Sequence, residues 1–291
     1  VGGNVPAWRG RTRHLTDRSR VVEKLIITLA PTGNVPTKAM TPHVPVTADE
    51  IAADIIACCK KGASVAHIHA RDEAELPTTE LKYFADIVQR LDAADCPIVK
   101  QISTGARGGK SGEARCEALV LNPESASLAT GSSNFPASVN ANDPKLVETM
   151  AKIMLERKIK PEIEVFDCAM IANAVELQRK GLIEGPLLFN LVLGVKGSLP
   201  ATAKNLFFLV ESLPPGALWS VSIIGPQHVA LSTVALALGG HVRVGIEDNV
   251  YLSKGVLATN VSLVERIVAI ARAVGRDIAT PDDVTRIWSG N

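Results

Sequence analysis

Two histidines, His67 and His69, stand two positions apart in the run Val65-Ala66-His67-Ile68-His69-Ala70, with Arg71 and Asp72 directly after it. So short a run reads as a β-strand, whose side chains point to opposite faces in turn. Both imidazoles therefore leave one face, about 7 Å apart along the strand. Two neutral imidazoles at that spacing suit a zinc-like divalent cation. A lone histidine is more often a surface donor or a packed core residue. Two on one face, followed by charge where the strand must stop, favour the metal.

A second cluster lies near the C-terminus, in His241-Val242-Arg243-Val244-Gly245-Ile246-Glu247-Asp248. Read as strand, Glu247 and Asp248 face opposite ways, so one can ligate while the other, after a turn of the backbone, does acid–base work. Two histidines and one carboxylate leave coordination positions open, which suits a Lewis acid that polarises a carbonyl. Arg243 either grips a substrate carboxylate in a bidentate fork or orients Asp248. A plain Arg–Asp pair at the rim is the blander alternative.

The rest of the chain has to bring these clusters together. Strand-length apolar runs cover residues 25–30, 65–72, 97–104, 125–131, 161–167, 187–193, 218–224 and 241–248, and helical patterns fall between them. Thr47 with Glu50 forms a capping box at one helix start, and Thr280-Pro281 opens a short terminal helix. Eight strands alternating with helices predict a (β/α)8 TIM barrel. A doubly wound sheet would carry a glycine-rich dinucleotide turn after an early strand; the glycines between Gly105 and Gly112 lack that spacing and that of a phosphate loop. Chemistry in such barrels sits at the carboxyl ends of the strands. Those ends offer His67, His69, Asp72, Ser103, Thr104, Ser127, Thr130, Glu164, Asp167, Arg243, Glu247 and Asp248. Taken singly each has a structural explanation; together they place imidazole, carboxylate and guanidinium groups around one mouth.

Composition narrows the class. The chain has 291 residues, 46% hydrophobic and 21% charged, with a formal net charge of +1, so a nucleic-acid or membrane-surface protein is disfavoured. No apolar run approaches the roughly 18 residues of a membrane span. The five cysteines, Cys58, Cys59, Cys96, Cys116 and Cys168, are odd in number and never spaced as CxxC, as expected of reduced thiols in a cytoplasmic protein. Residues 1–23 are arginine-rich, with Arg9, Arg11, Arg13, Arg18 and Arg20. They have neither the apolar stretch of a secretory signal nor an amphipathic helical pattern. A basic extension lying on the surface or on a neighbouring subunit is expected there, with a single barrel domain over residues 24–291.

The motifs His67-Ile68-His69, Gln101-Ile102-Ser103-Thr104-Gly105, Pro161-Glu162-Ile163-Glu164-Val165 and Gly240 through Asn249 resemble those of the β-keto acid cleavage enzymes, in the same order and over nearly all of Lys24 to Ile287. The resemblance implies a zinc-dependent barrel, homotetrameric, that reacts a β-keto acid with acetyl-CoA by a retro-Claisen route to acetoacetate and a new acyl-CoA. It places the zinc ligands on His67, His69 and Glu247, the catalytic pair on Arg243 and Asp248, and substrate contacts on Ser103, Ser127 and Glu164. Departures from the family pattern bear on the substrate. Val35 stands where members acting on amino-bearing substrates carry a glutamate, Ser127 stands for a common threonine, and Ala129 for an asparagine. The competing readings are a metal-dependent barrel hydrolase or aldol-type lyase that does not use CoA, and a non-catalytic binding protein. The first would want further histidines and a lysine on later strands; the second would leave Arg243, Glu247 and Asp248 without a reason.

Overall fold

A computed structural model of the chain describes residues 23–105, 112–136 and 138–290. The apolar runs become parallel strands: β1 Ile27–Leu29, β2 Val65–Ile68, β3 Val99–Ile102, β4 Ser125–Ala129, β5 Lys160–Val165, β6 Leu188–Leu193, β7 Leu218–Ile223 and β8 His241–Val244. Each pairs with its sequence neighbour, and β1 pairs with both β2 and β8, with Thr28 opposite Val65 on one side and Arg243 on the other. The sheet therefore closes into the expected eight-stranded barrel.

The helices pack outside. They are α1 Ala48–Cys59, α2 Leu81–Ala93, α3 Gly112–Cys116, α4 Pro144–Glu156, α5 Ala169–Arg179, α6 Ala203–Glu211, α7 His228–Ala237, α8 Asn260–Ala273 and α9 Pro281–Ser289. Their starts are written in the sequence. The Thr47 side chain accepts from the Glu50 amide and Glu50 answers the Thr47 amide, an arrangement whose loss costs about 1 kcal/mol. Asp143 caps α4 ahead of Pro144, and Thr280 with Asp283 caps α9. On α2 the buried residues Phe84, Ile87 and Leu91 recur at helical spacing and face the core. Leu91 is wholly buried, so Leu91→Ala would cost about 2–5 kcal/mol.

Side-chain alternation divides the strands between two environments. On β5, Ile163 and Val165 join the apolar layer between strands and helices, which turns Glu162 and Glu164 towards the barrel axis. A separate apolar cluster of Ile26, Val65, Val99 and Leu188 closes the amino-terminal end of the barrel, packed against Val284, Ile287 and Trp288 of α9. Polar side chains of the interior lie above that plug, towards the carboxyl ends of the strands.

Two strands are shorter than the sequence suggests. β2 stops at Ile68, and Ala70–Arg71 pairs instead with Pro77–Thr78 in a hairpin beyond the barrel rim. β8 stops at Val244, and Glu247 and Asp248 lie on the turn that follows. Gly245 makes that turn possible: a side chain there would collide with the carbonyl oxygen of Ala30. The Ala30 carbonyl in turn accepts from the Glu247 amide. The expectation that Glu247 and Asp248 face opposite ways along a strand is thus corrected, because the turn gathers both beside Arg243. The basic extension lies outside the described residues apart from Glu23, as does the glycine loop over 106–111. Among the described residues no helix is long and apolar enough to cross a membrane.

Candidate metal centre

β2 presents His67 on its inner face, and the chain carries His69 to the rim one step beyond the strand. Their Nε2 atoms are 3.2 Å apart. Glu247, delivered by the turn after β8, places Oε1 3.4 Å from His69 Nε2. Among the described residues these three side chains offer donor atoms that all lie within 4.8 Å of one another. The other ring nitrogen of His67, Nδ1, is 2.6 Å from Gln101 Oε1 on the neighbouring strand β3. Burial, followed by the nearby Arg243 guanidinium, pushes the His67 imidazole down to about 3, so its ring is neutral at physiological pH and keeps a lone pair. Glu247 Oε2 is buried without a hydrogen-bond partner. The neutral His67 imidazole, the His69 ring nitrogen beside it and a carboxylate with an orphaned oxygen fit a borderline divalent cation such as zinc.

Arg243, at the end of β8, is almost fully buried and touches three carboxylates. Its Nε and Nη2 each lie 3.0 Å from an oxygen of Asp248, in a bidentate pair. Nη2 is also 2.7 Å from Glu247 Oε1, and Nη1 is 3.6 Å from Glu164 Oε1. Burial works against the guanidinium charge, yet Asp248, Glu247 and Glu164 outweigh it and hold Arg243 above its ordinary pKa. Burial likewise opposes the Glu247 charge, but Arg243 and then His69 hold its carboxyl well below the usual range. Glu164 goes the other way: burial raises its pKa, with Arg243 opposing. The Arg243 guanidinium thus faces three carboxyl groups, an acidic crowding that a dication at the His67, His69 and Glu247 donors would relieve.

A cleft of about 490 Å³ opens at the carboxyl ends of the strands, and His69, Ser103, Glu164, Arg243, Glu247 and Asp248 line it. Other polar residues expected at the mouth do structural work. Asp72 accepts from the Ala74 and Leu76 amides within the hairpin; Thr130 donates to Met170 O, and Asp167 accepts from the Ala169 amide. Ser127 is fully buried, its Oγ accepting from the Thr104 amide at 3.0 Å, and does not line the cleft.

The sequence profile of the beta-keto acid cleavage enzyme family matches residues 24–289. The chain belongs to the beta-keto acid cleavage enzymes. The 3-keto-5-aminohexanoate cleavage enzyme of Fusobacterium nucleatum is 42% identical over 272 residues, covering 92% of this chain and 99% of the relative. The 3-oxoadipate:acetyl-CoA acetyltransferase of Cupriavidus necator is 40% identical over 264 residues, covering 89% and 93%. Among solved structures, the ternary complex of ObcA with a C4-CoA adduct and oxalate gives a TM-score of 0.74 at 23% identity. That match spans 86% of this chain and 68% of the ObcA chain, and is a likeness of fold.

Three features of this β-keto acid cleavage enzyme escaped the sequence reading. Gln101 and Glu162 sit two residues before Ser103 and Glu164 on the same strand faces, so the two-residue period alone could have drawn them inwards. Arg71 reads as a charge at a strand end, yet its guanidinium donates to Gly33 O and Pro36 O at 2.8 Å and pins the loop after β1. Asn260 had no local signal. It accepts from the Ile246 amide at 2.8 Å and donates to Pro31 O at 2.9 Å, so its partners come from both ends of the chain.

Proposed function

We propose that the protein converts a β-keto acid and acetyl-CoA into acetoacetate and the acyl-CoA of the substrate's tail, with His67, His69 and Glu247 holding zinc. The observation that carries this reading is the three-donor cluster set against the Arg243–Asp248 pair at the floor of one cleft. A zinc ion held by these three residues would supply a Lewis acid that makes the CH₂ between the keto and carboxylate groups more acidic.

Asp248, oriented by the Arg243 fork, takes the proton from C2. The carbanionic C2 then adds to the thioester carbon of acetyl-CoA, a carbon–carbon bond forms, and CoA thiolate leaves. The thiolate adds to the original keto carbon, the bond from that carbon to C2 breaks, and its electron pair returns to C2. Asp248 gives the proton back there, completing acetoacetate. Ser103 and Glu164, both lining the cleft, orient the substrate, while Ser127 fixes the backbone at Thr104 behind them.

The same reading extends to the tail. Val35, Phe135, Phe166, Val192, Ile224 and Pro226 form an apolar wall, while the carboxylates among the described lining residues all gather around Arg243. An uncharged tail gains about 0.8 kcal/mol per buried methylene there, whereas a buried ammonium would lack a counter-charge. A cytoplasmic location is part of this proposal, supported by five unpaired cysteines that are stable as thiols there; the proposed homotetramer rests on the family resemblance.

Acetyl-CoA incubated with 3-ketohexanoate should yield acetoacetate and butyryl-CoA by mass spectrometry, with a higher kcat/KM than for a 5-amino counterpart. Loss of the keto acid with no new acyl-CoA would instead mark a CoA-independent hydrolase or lyase. Preference for the amino substrate would overturn the tail assignment alone.

A further inference from the structure

At the rim of the cleft stands a lysine that the proposed reaction leaves without a task. Lys196 follows β6 and is exposed to solvent, yet it lines the same cleft as Glu164 and Arg243. Among the described lining residues, Lys196 and Arg243 are the lysine and arginine side chains. Arg243 is buried and already committed to Asp248, Glu247 and Glu164. Lys196 forms no ion pair among the described residues.

The turn that carries Lys196 is held on several sides. The Gly194 amide donates to Leu199 O at 2.9 Å and the Ser198 amide to Val195 O at 3.0 Å, which closes residues 194–199 into a loop. Ser198 Oγ donates to Phe166 O at 2.6 Å and ties that loop to the segment after β5. On another flank Gly197 sits so close to Asn134 that a Cβ would come within 2.6 Å of its carbonyl oxygen. A backbone wedged in this way has little freedom left to lose when a ligand arrives. The mobile part is the lysine stem, which ends in three donors and no acceptor.

Where the ammonium stands decides what it can recognise. The tail of a small acid lies lower, against Phe166, Val192 and Ile224. The thioester partner has to span both levels. Its sulfur must reach the floor beside Arg243, while its nucleotide stays in water at the mouth, joined to the arm by a diphosphate. The carboxyl groups on the floor repel such a polyanion, and a cation at the rim offsets that repulsion. We propose that Lys196 binds the diphosphate of acetyl-CoA at the mouth of the cleft and so guides the thioester arm towards the floor. The proposal rests on the acetyl-CoA reading given above.

The test compares wild type, Lys196→Gln and Lys196→Arg at saturating 3-ketohexanoate, with acetyl-CoA and with acetylpantetheine, which ends before the diphosphate. Lys196→Gln should raise KM for acetyl-CoA by about 5–10-fold with kcat retained, and should leave kcat/KM for acetylpantetheine at the wild-type value. Lys196→Arg keeps the charge and should restore most of the loss. Added salt should weaken acetyl-CoA more in wild type than in Lys196→Gln, because screening acts on the pair that the variant lacks. Acetyl-dephospho-CoA keeps the diphosphate without the ribose phosphate, and should show the same dependence on Lys196 as acetyl-CoA. A dependence that vanishes there would move the contact to the ribose phosphate and overturn the assignment. An unchanged KM for acetyl-CoA in Lys196→Gln, an equal loss with both thioesters, or a raised KM for the keto acid alone would also overturn it. If wild type turned over no thioester, the reaction reading would fall. Calorimetric titration of S-acetonyl-CoA, whose sulfur cannot leave, into acetoacetate-saturated wild type and Lys196→Gln would then decide the contact by itself: binding that is weaker in the variant upholds it, and equal or absent binding overturns it.

Discussion

A carboxylate oxygen buried without a partner is costly, by about 1–3 kcal/mol or more for a charged group, and Glu247 keeps one beside two imidazoles. A metal ligand is the economical explanation, and it has a direct check. Purified protein should hold about one zinc-like ion per chain, lost in His67→Ala, His69→Ala and Glu247→Ala; full metal content in all three variants would refute the assignment. Asp248→Asn should keep the metal and lower kcat by about 10²–10⁴-fold, since an amide cannot take the C2 proton; a wild-type kcat would move the base elsewhere, with Glu164 next. Glu162 gives a pH signature. Burial pushes its carboxyl from the ordinary 4.5 up to about 7, so the folded state holds a proton that the unfolded state has released between those values. Stability must therefore fall as pH rises from about 4.5 through 7. Glu162→Gln has nothing to ionise, so the metal-free variant should gain on wild type by on the order of 3 kcal/mol across that window. Denaturant melts at pH 4.5 and pH 8 that show the same difference would rule this out.

The loop after β1 is the element on which the site's geometry hangs. Arg71 holds it by the carbonyls of Gly33 and Pro36, and Asn260 ties Pro31 to the Ile246 amide next to Glu247. Gly33 adopts φ +59°, and a Cβ there would run into the Glu247 side chain. Gly33→Ala should thus destabilise the metal-free fold by about 1–2 kcal/mol and, by displacing Glu247, weaken zinc as well. Loss of stability with zinc affinity intact would show that the contact is not a constraint on the ligand. This element also marks where the sequence stopped being legible. Strand and helix order, the capping boxes and the pairing of His67 with His69 are written in local periodicity, and were readable. The ends of β2 and β8 were not, because Ala70 and Arg71 suit a hairpin as well as a barrel strand, and Gly245 turns the chain only because Ala30 crosses close by. Asp248 was legible as a partner of Arg243, but Glu247 was not legible as a second neighbour of the same guanidinium. Arg71 and Asn260 act through carbonyls, which carry no residue-type signal at all.

At the scale of the whole molecule, the barrel's apolar layer does not run through the metal site, so removing zinc should lower the melting temperature only by the linkage of its binding and leave the fold intact. The amino-terminal end is stoppered by Ile26, Val65, Val99 and Leu188 under Val284, Ile287 and Trp288 of α9. Everything that reaches Arg243 must come and go through the opposite mouth. Two molecules of very unequal size sharing one doorway cannot pass each other. A small acid seated against Glu164 and Arg243 lies under the thioester that must lie over it, so traffic becomes ordered: acid in first, thioester second, acyl-CoA out before acetoacetate. Steady-state kinetics would then show acetoacetate competitive with the β-keto acid, and a non-reactive acetyl-CoA analogue uncompetitive against that acid. An analogue that competes with the acid directly would mean that the large partner can occupy the doorway alone, and the order would be lost.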